Sequence, residues 1–279
     1  MINTVEDLGY NDCKEITILQ WIEISKRDDL SVKFYEKYYK YIRWGYCSAE
    51  QHLSDKFIQL HKDELDWYDI SFCDKGLSEA FIERYADKVD WFWISECQAL
   101  SEPFIEKYAD KVDWRWISEY QTLSEPFIER YADKVDWERI SYNQKLSEAF
   151  IEKYKNKVDW SSISAEQKLS ETFITKYKNK VDWFWISTNQ KLSETFIAKY
   201  KYKVYWDWIS AYQTLSESFI EKYKNKVHWD NISRWQALSE NFIAIFADYI
   251  DWQALRYNDK IHLSEKFKQK YANRLWVTD

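Results

Sequence analysis

From Leu77 onward, one pattern of apolar and polar residues recurs every 23 positions. The segment LSEAFIERYADKVDWFWISECQA starts at Leu77. Its relatives start at Leu100, Leu123, Leu146, Leu169, Leu192, Leu215 and Leu238. Degenerate copies start at Leu30, Leu53 and Leu263. The step from Leu53 is 24 residues, with Gly76 as the addition, and the step from Leu238 is 25, with Ile261 and His262 close to the additions. Upstream, Trp21, Ile24 and Ser25 match the back half of a unit. The pattern predicts a single repeat domain over 1–279. Residues 1–20 form an N-terminal cap, 21–262 the helical repeats, and 263–279 a truncated C-terminal capping repeat ending in Leu275-Trp276.

Numbered from its leucine, the unit reads L-S-E-x-F-I-x-K-Y-x-x-K-V-D-W-x-x-I-S-x-x-Q-x. Its apolar positions are 1, 5, 6, 9, 13, 15 and 18, and spacings of three and four are helical rather than alternating. Serine at position 2 followed by glutamate is a helix N-cap with an acidic first turn. Pro103 and Pro126 fall within that first turn, where a missing N–H costs little. Aspartate at position 14, before tryptophan, is a second N-cap. Each cap follows an apolar residue that sits five positions before an isoleucine, the spacing of a hydrophobic staple. Aspartate or asparagine at position 11, as in Asp87, Asp110, Asn156 and Asn179, is expected to end the first helix in the left-handed conformation. Each unit is then two short helices, at positions 3–11 and 15–22, and neither is stable alone.

Stacking such units buries their apolar faces, so the expected fold is all-α: an α-solenoid superhelix of about ten helix-turn-helix repeats with atypical capping ends. A core ladder is expected from Trp44, Trp67, Trp91, Trp114, Trp137, Trp160, Trp183, Trp206, Trp229 and Trp252 at position 15. Phenylalanine at position 5 and tyrosine at position 9 run beside it. Serine at position 19 and glutamine at position 22 share the inner face, as a small contact and a polar ladder between units.

Units such as LSETFITKYKNKVDWFWISTNQK resemble the short helical repeats found in many uncharacterised proteins of giant viruses and related microbial genomes. The resemblance covers ten near-complete units. It implies a fold and an origin, and carries no activity, cofactor or site residue. A viral origin would place the protein in the cytoplasm of a host cell.

Composition narrows the chemistry. Only 3 glycines and 2 prolines occur in 279 residues, while aromatics reach 19% with 17 tryptophans. No glycine-rich phosphate loop, Walker A motif or G-x-S-x-G elbow is present. Cys13, Cys47, Cys73 and Cys97 form no C-x-x-C pair, and His52, His61, His228 and His262 share no metal-ligand spacing. Neither a metal nor a cofactor is expected. The N-terminus has no apolar signal segment, and no run approaches the ~18 apolar residues of a membrane span.

The units differ on their surfaces. Position 17 carries Tyr46, Trp93, Trp116, Trp185 and Trp208, and position 21 carries Tyr120, Tyr212 and Trp235. Trp116 with Tyr120, and Trp208 with Tyr212, lie one helical turn apart and would pair on one face. Tyr68, Phe92 and Phe184 add rings at position 16. These rings either anchor a partner or fill gaps between units. Against gap-filling, Glu138-Arg139, Ser161-Ser162 and Asp230-Asn231 occupy the same slots elsewhere.

Charge is uneven as well. The chain carries −7 overall, yet residues 77–145 hold 9 basic and 15 acidic side chains, and residues 146–237 hold 15 and 11. At position 10, Ala86, Ala109 and Ala132 give way to the basic stripe Lys155, Lys178, Lys201 and Lys224.

The expected function is a monomeric, non-enzymatic scaffold that binds a protein partner through Trp93, Trp116, Tyr120, Trp185, Trp208, Tyr212 and Trp235. One alternative is nucleotide or single-stranded nucleic-acid binding by aromatic stacking beside the lysine stripe, which the whole-chain charge disfavours. A second is a structural component of a viral or cellular assembly.

Overall fold

The computed structural model describes residues 1–47, 49–72 and 76–275. Cys73 and Trp276 lie outside the described residues. Within them the chain is all-α, with no β-strand and one isolated bridge between Ile2 and Leu30. It divides into two compact units, 1–144 and 145–279, and the division falls one residue before a repeat boundary. Each unit is a solenoidal stack of helix pairs.

In the first unit the regular pairs are Glu79–Arg84 with Trp91–Cys97, Glu102–Lys107 with Trp114–Tyr120, and Glu125–Arg130 with Trp137–Asn143. In the second they run from Glu148–Lys153 with Trp160–Glu166 to Glu217–Lys222 with Trp229–Trp235. The caps follow from local chemistry. Ser101 accepts from the Phe104 N–H and Asp113 from the Arg115 N–H, and the pattern recurs along the chain. Among the described residues, no helix is long and apolar enough to cross a membrane.

The first helix is shorter than its periodicity suggests. It covers positions 3–8, and no non-glycine residue among those described has positive φ. The expected left-handed Asp or Asn is therefore absent. The tyrosine at position 9 ends the helix instead, with φ near −110°, as at Tyr108 and Tyr131. Its carbonyl accepts two N–H groups that close the turn, from Lys111 at 2.8 Å and Val112 at 3.1 Å in the case of Tyr108. That double acceptance makes a left-handed residue unnecessary.

The core is built on isoleucines. Those at positions 6 and 18, such as Ile105, Ile117, Ile174 and Ile186, are 0% exposed. The phenylalanines at position 5 are nearly as buried. The tryptophan ladder needs correction. Trp44 is buried, but Trp67, Trp91, Trp114, Trp137, Trp160, Trp183, Trp206, Trp229 and Trp252 are half-buried. As first residue of its helix, the ring lies at the rim, and its indole N–H reaches back to the carbonyl five residues earlier. Trp114 donates to Ala109 and Trp183 to Lys178, both at 2.9 Å. The outer edge then rests on the next repeat, where Trp114 meets Phe127 and Tyr131.

Serine and glutamine join the repeats. Ser118 is fully buried, donates to the Trp114 carbonyl at 2.6 Å and accepts the Asp136 N–H of the next repeat at 3.0 Å. Gln121 accepts the Leu100 N–H of its own repeat at 2.9 Å. Its amide donates to the Gln98 carbonyl of the preceding repeat at 2.7 Å and to the Ser95 carbonyl at 3.3 Å. The second unit repeats this arrangement through Gln190, Gln213 and Gln236. Asn258 takes over the role in the last full repeat, holding the carbonyls of Ser233 and Gln236.

A surface ladder of carboxylates adds to these bonds. Glu79 and Glu102 accept the cap-serine N–H of the following repeat. Asp110 pairs with Lys134 at 2.7 Å, Asp63 with Lys88 at 2.6 Å, and Glu152 with Lys176. Each partner lysine holds its carboxylate below the usual range, and Lys40, with Tyr39 and His61, brings Glu64 down to about 2. Because folding depresses these pKa values, the stabilisation is present above the unfolded carboxylate range and is lost as pH falls through the folded values. The melting temperature should therefore decline between about pH 5 and about pH 2. The decline should be shallower near 1 M salt, where exposed pairs are screened. A melting temperature flat over that interval would remove the ladder from the stability of the fold.

Candidate functional site

Consecutive second helices make the closest packing within each unit. A side chain at position 16 of one helix therefore meets position 17 of the next. In the first unit this joins aromatic rings across repeats. Tyr68 and Phe72 meet the Trp93 ring at 5.5 and 4.6 Å between centroids, edge to face. Phe92 meets Trp116 at 5.6 Å and 85°. One turn further along the same helix, Tyr120 stacks on Trp116 at 5.7 Å and 13°. Arg115 and Arg139 lie over Trp116, 5.2 and 5.5 Å from its centroid.

The second unit holds a similar run. Phe184 contacts Trp185, Tyr205 and Trp208, and Tyr212 stacks on Trp208 at 5.7 Å and 7°. Trp235 stands apart from these rings, with Arg234 over it at 5.2 Å. Trp93, Trp116, Trp185 and Trp208 are half-buried, whereas Tyr120, Tyr212 and Trp235 are exposed. The position-17 ring thus leans on its neighbour and keeps part of its surface open.

Packing alone does not require an aromatic there. At position 17, Asn231 instead donates to the Asp207 carbonyl of the preceding repeat at 2.9 Å, and Arg139 pairs with Glu119. The slot accepts a polar bridge as readily as a ring. A ring at Trp93, Trp116 or Trp208 is thus one of several kinds of side chain that join neighbouring repeats at position 17.

The lysines of the basic stripe lie at the turn between the two helices of each repeat. Lys155, Lys178 and Lys224 are exposed and Lys201 is half-buried. Their backbone carbonyls are occupied, since Lys178 accepts from the Trp183 indole and from Lys203 of the next repeat. Their ammonium groups lie at the protein surface beside those turns. Sequence reading passed over Tyr142, Tyr202 and Tyr205, which are 56%, 83% and 50% exposed. Tyr202 and Tyr205 were visible as departures from the consensus at positions 11 and 14. Among the described residues, no group of three His, Cys, Asp or Glu side chains is placed to hold a metal ion. His52 stacks on Tyr35 and His61 pairs with Glu64.

No family model matches the chain, and neither a curated protein nor a solved structure matches it.

Proposed function

We propose that the protein is a non-enzymatic scaffold that binds a protein partner along the aromatic face of its second helices. The observation that carries this reading is the run of rings joined across repeats, from Phe92 through Trp116 to Tyr120 and from Phe184 through Trp208 to Tyr212. Rings held in place by neighbouring rings lose little conformational freedom when a partner covers them, and tryptophan and tyrosine dominate binding hot spots.

The test is a capture of partners on the full chain from the native source, followed by titration of the recovered protein. Trp116→Ala with Trp208→Ala should weaken that binding about thirtyfold or more, the loss expected when a hot-spot ring is truncated. Nuclease treatment should leave it unchanged. A partner that binds the double variant as tightly as the wild type would show that the aromatic face is not its site.

A further inference from the structure

Residues 146–237 carry four kinds of exchange, three of them between the two helices of a repeat and one near the end of the first helix, and each adds a base or removes an acid. Position 10 changes from alanine to lysine at Lys155, Lys178, Lys201 and Lys224. Position 11 loses the aspartates found at 87, 110 and 133, becoming Asn156, Asn179, Tyr202 and Asn225. Position 14 loses its capping aspartate at Tyr205 and His228, and neither side chain caps its helix. The fourth exchange breaks an ion-pair ladder. Glu83 holds Lys107, Glu106 holds Arg130, and Glu152 holds Lys176. Thr175 and Ala198 stand where the next two glutamates would be, so Lys199 and Lys222 lose that partner. Among the described residues, no carboxylate pairs with Lys178, Lys199, Lys201, Lys222 or Lys224.

One ring stands among these lysines. Tyr202 is 83% exposed at the tip of its turn, with the Lys201 ammonium 5.1 Å and the Lys226 ammonium 5.0 Å from its ring centroid. Lysines that track phosphates around an open aromatic platform are what an unpaired nucleotide strand needs. A duplex keeps its bases stacked inside and would leave the ring unused. An acidic peptide would use the cations alone. The chain's overall charge of −7 counts against nucleic acid as a general ligand but not against a local basic surface. Exposed charges more than about 8 Å away are largely screened at physiological salt, so a phosphate responds to the local lysines.

We propose that the turn edge of residues 146–237 is a binding surface for single-stranded nucleic acid, with Lys178, Lys201 and Lys224 on the phosphates and Tyr202 stacked on a base. This surface is distinct from the aromatic face assigned to a protein partner, and either can fail without the other.

Fluorescence anisotropy of the full chain with labelled oligo-dT and oligo-U of about 20 nucleotides tests it. Binding of either strand should weaken steeply from 50 to 200 mM salt. Lys178→Ala with Lys201→Ala and Lys224→Ala should reduce the log–log salt slope by about 2, at roughly 0.7 per phosphate contact. Its affinity should fall more than tenfold. Alanine is already the residue at 86, 109 and 132, so the repeat tolerates it. Tyr202→Asn, matching positions 156, 179 and 225, should weaken binding about tenfold and leave the salt slope unchanged. It tests the proposal independently should the triple variant fail to fold. The proposal is overturned by no binding at 50 mM salt, by full affinity in Tyr202→Asn, or by equal affinity for poly-glutamate or duplex DNA.

Discussion

Gln190→Leu should lower the unfolding free energy by about 3–5 kcal/mol, although leucine is apolar and of similar size. The Gln190 side chain accepts the Leu169 N–H at 3.0 Å and donates to the carbonyls of Ser164 at 2.9 Å and Gln167 at 2.7 Å. It is buried, so water cannot take over these bonds. Leucine would remove these three hydrogen bonds to buried residues, each loss costing about 1–3 kcal/mol, with incomplete additivity. Lys191→Ala next to it, on an exposed residue, should change stability by less than about 0.5 kcal/mol. Urea titrations of the three proteins decide the matter. A loss below about 1 kcal/mol for Gln190→Leu would mean that the backbone groups find other partners, and the polar ladder would be incidental to stacking.

The glutamine ladder was legible in the sequence because position 22 is glutamine in every regular repeat and shares the inner face with the isoleucine at position 18 and the serine at position 19. Helix starts were legible for a local reason. A serine or aspartate cap is settled by the N–H groups two or three residues ahead, as at Ser101 and Asp113. The rim location of the tryptophans was hidden. Trp114 keeps period with Ile117 and so resembles a core residue, but being first in its helix lets its indole reach the Ala109 carbonyl. The helix end at position 9 was hidden because the tyrosine carbonyl accepts two N–H groups, a choice that residue identity does not encode. The contacts from Phe92 to Trp116 and from Phe184 to Trp208 depend on how one helix registers on the next. Sequence spacing places two rings on one helix face and is silent about rings on separate helices. The lack of a carboxylate partner at Lys199 and Lys222 needed the observed Glu152–Lys176 pair before Thr175 and Ala198 could be recognised as missing acids.

Ile186→Ala should cost about 2–5 kcal/mol, from lost transfer energy plus the cavity left behind. Ile186 is 0% exposed, and its position is isoleucine in every regular repeat. In a stack where each repeat touches only its neighbours, such a loss is first felt locally. The two-sided contacts of Ser187 and Gln190 tie Trp183–Asn189 to the repeats before and after it. Amides of that helix and of Trp160–Glu166 and Trp206–Tyr212 should therefore lose exchange protection together, while those of Trp91–Cys97 keep theirs. Hydrogen exchange resolved by peptide reads this directly. Uniform loss across all repeats would mean that the chain unfolds as one cooperative block, with coupling between repeats stronger than nearest-neighbour bonds supply. Loss confined to a single helix would mean the opposite, that the serine and glutamine bridges couple too weakly to spread the defect.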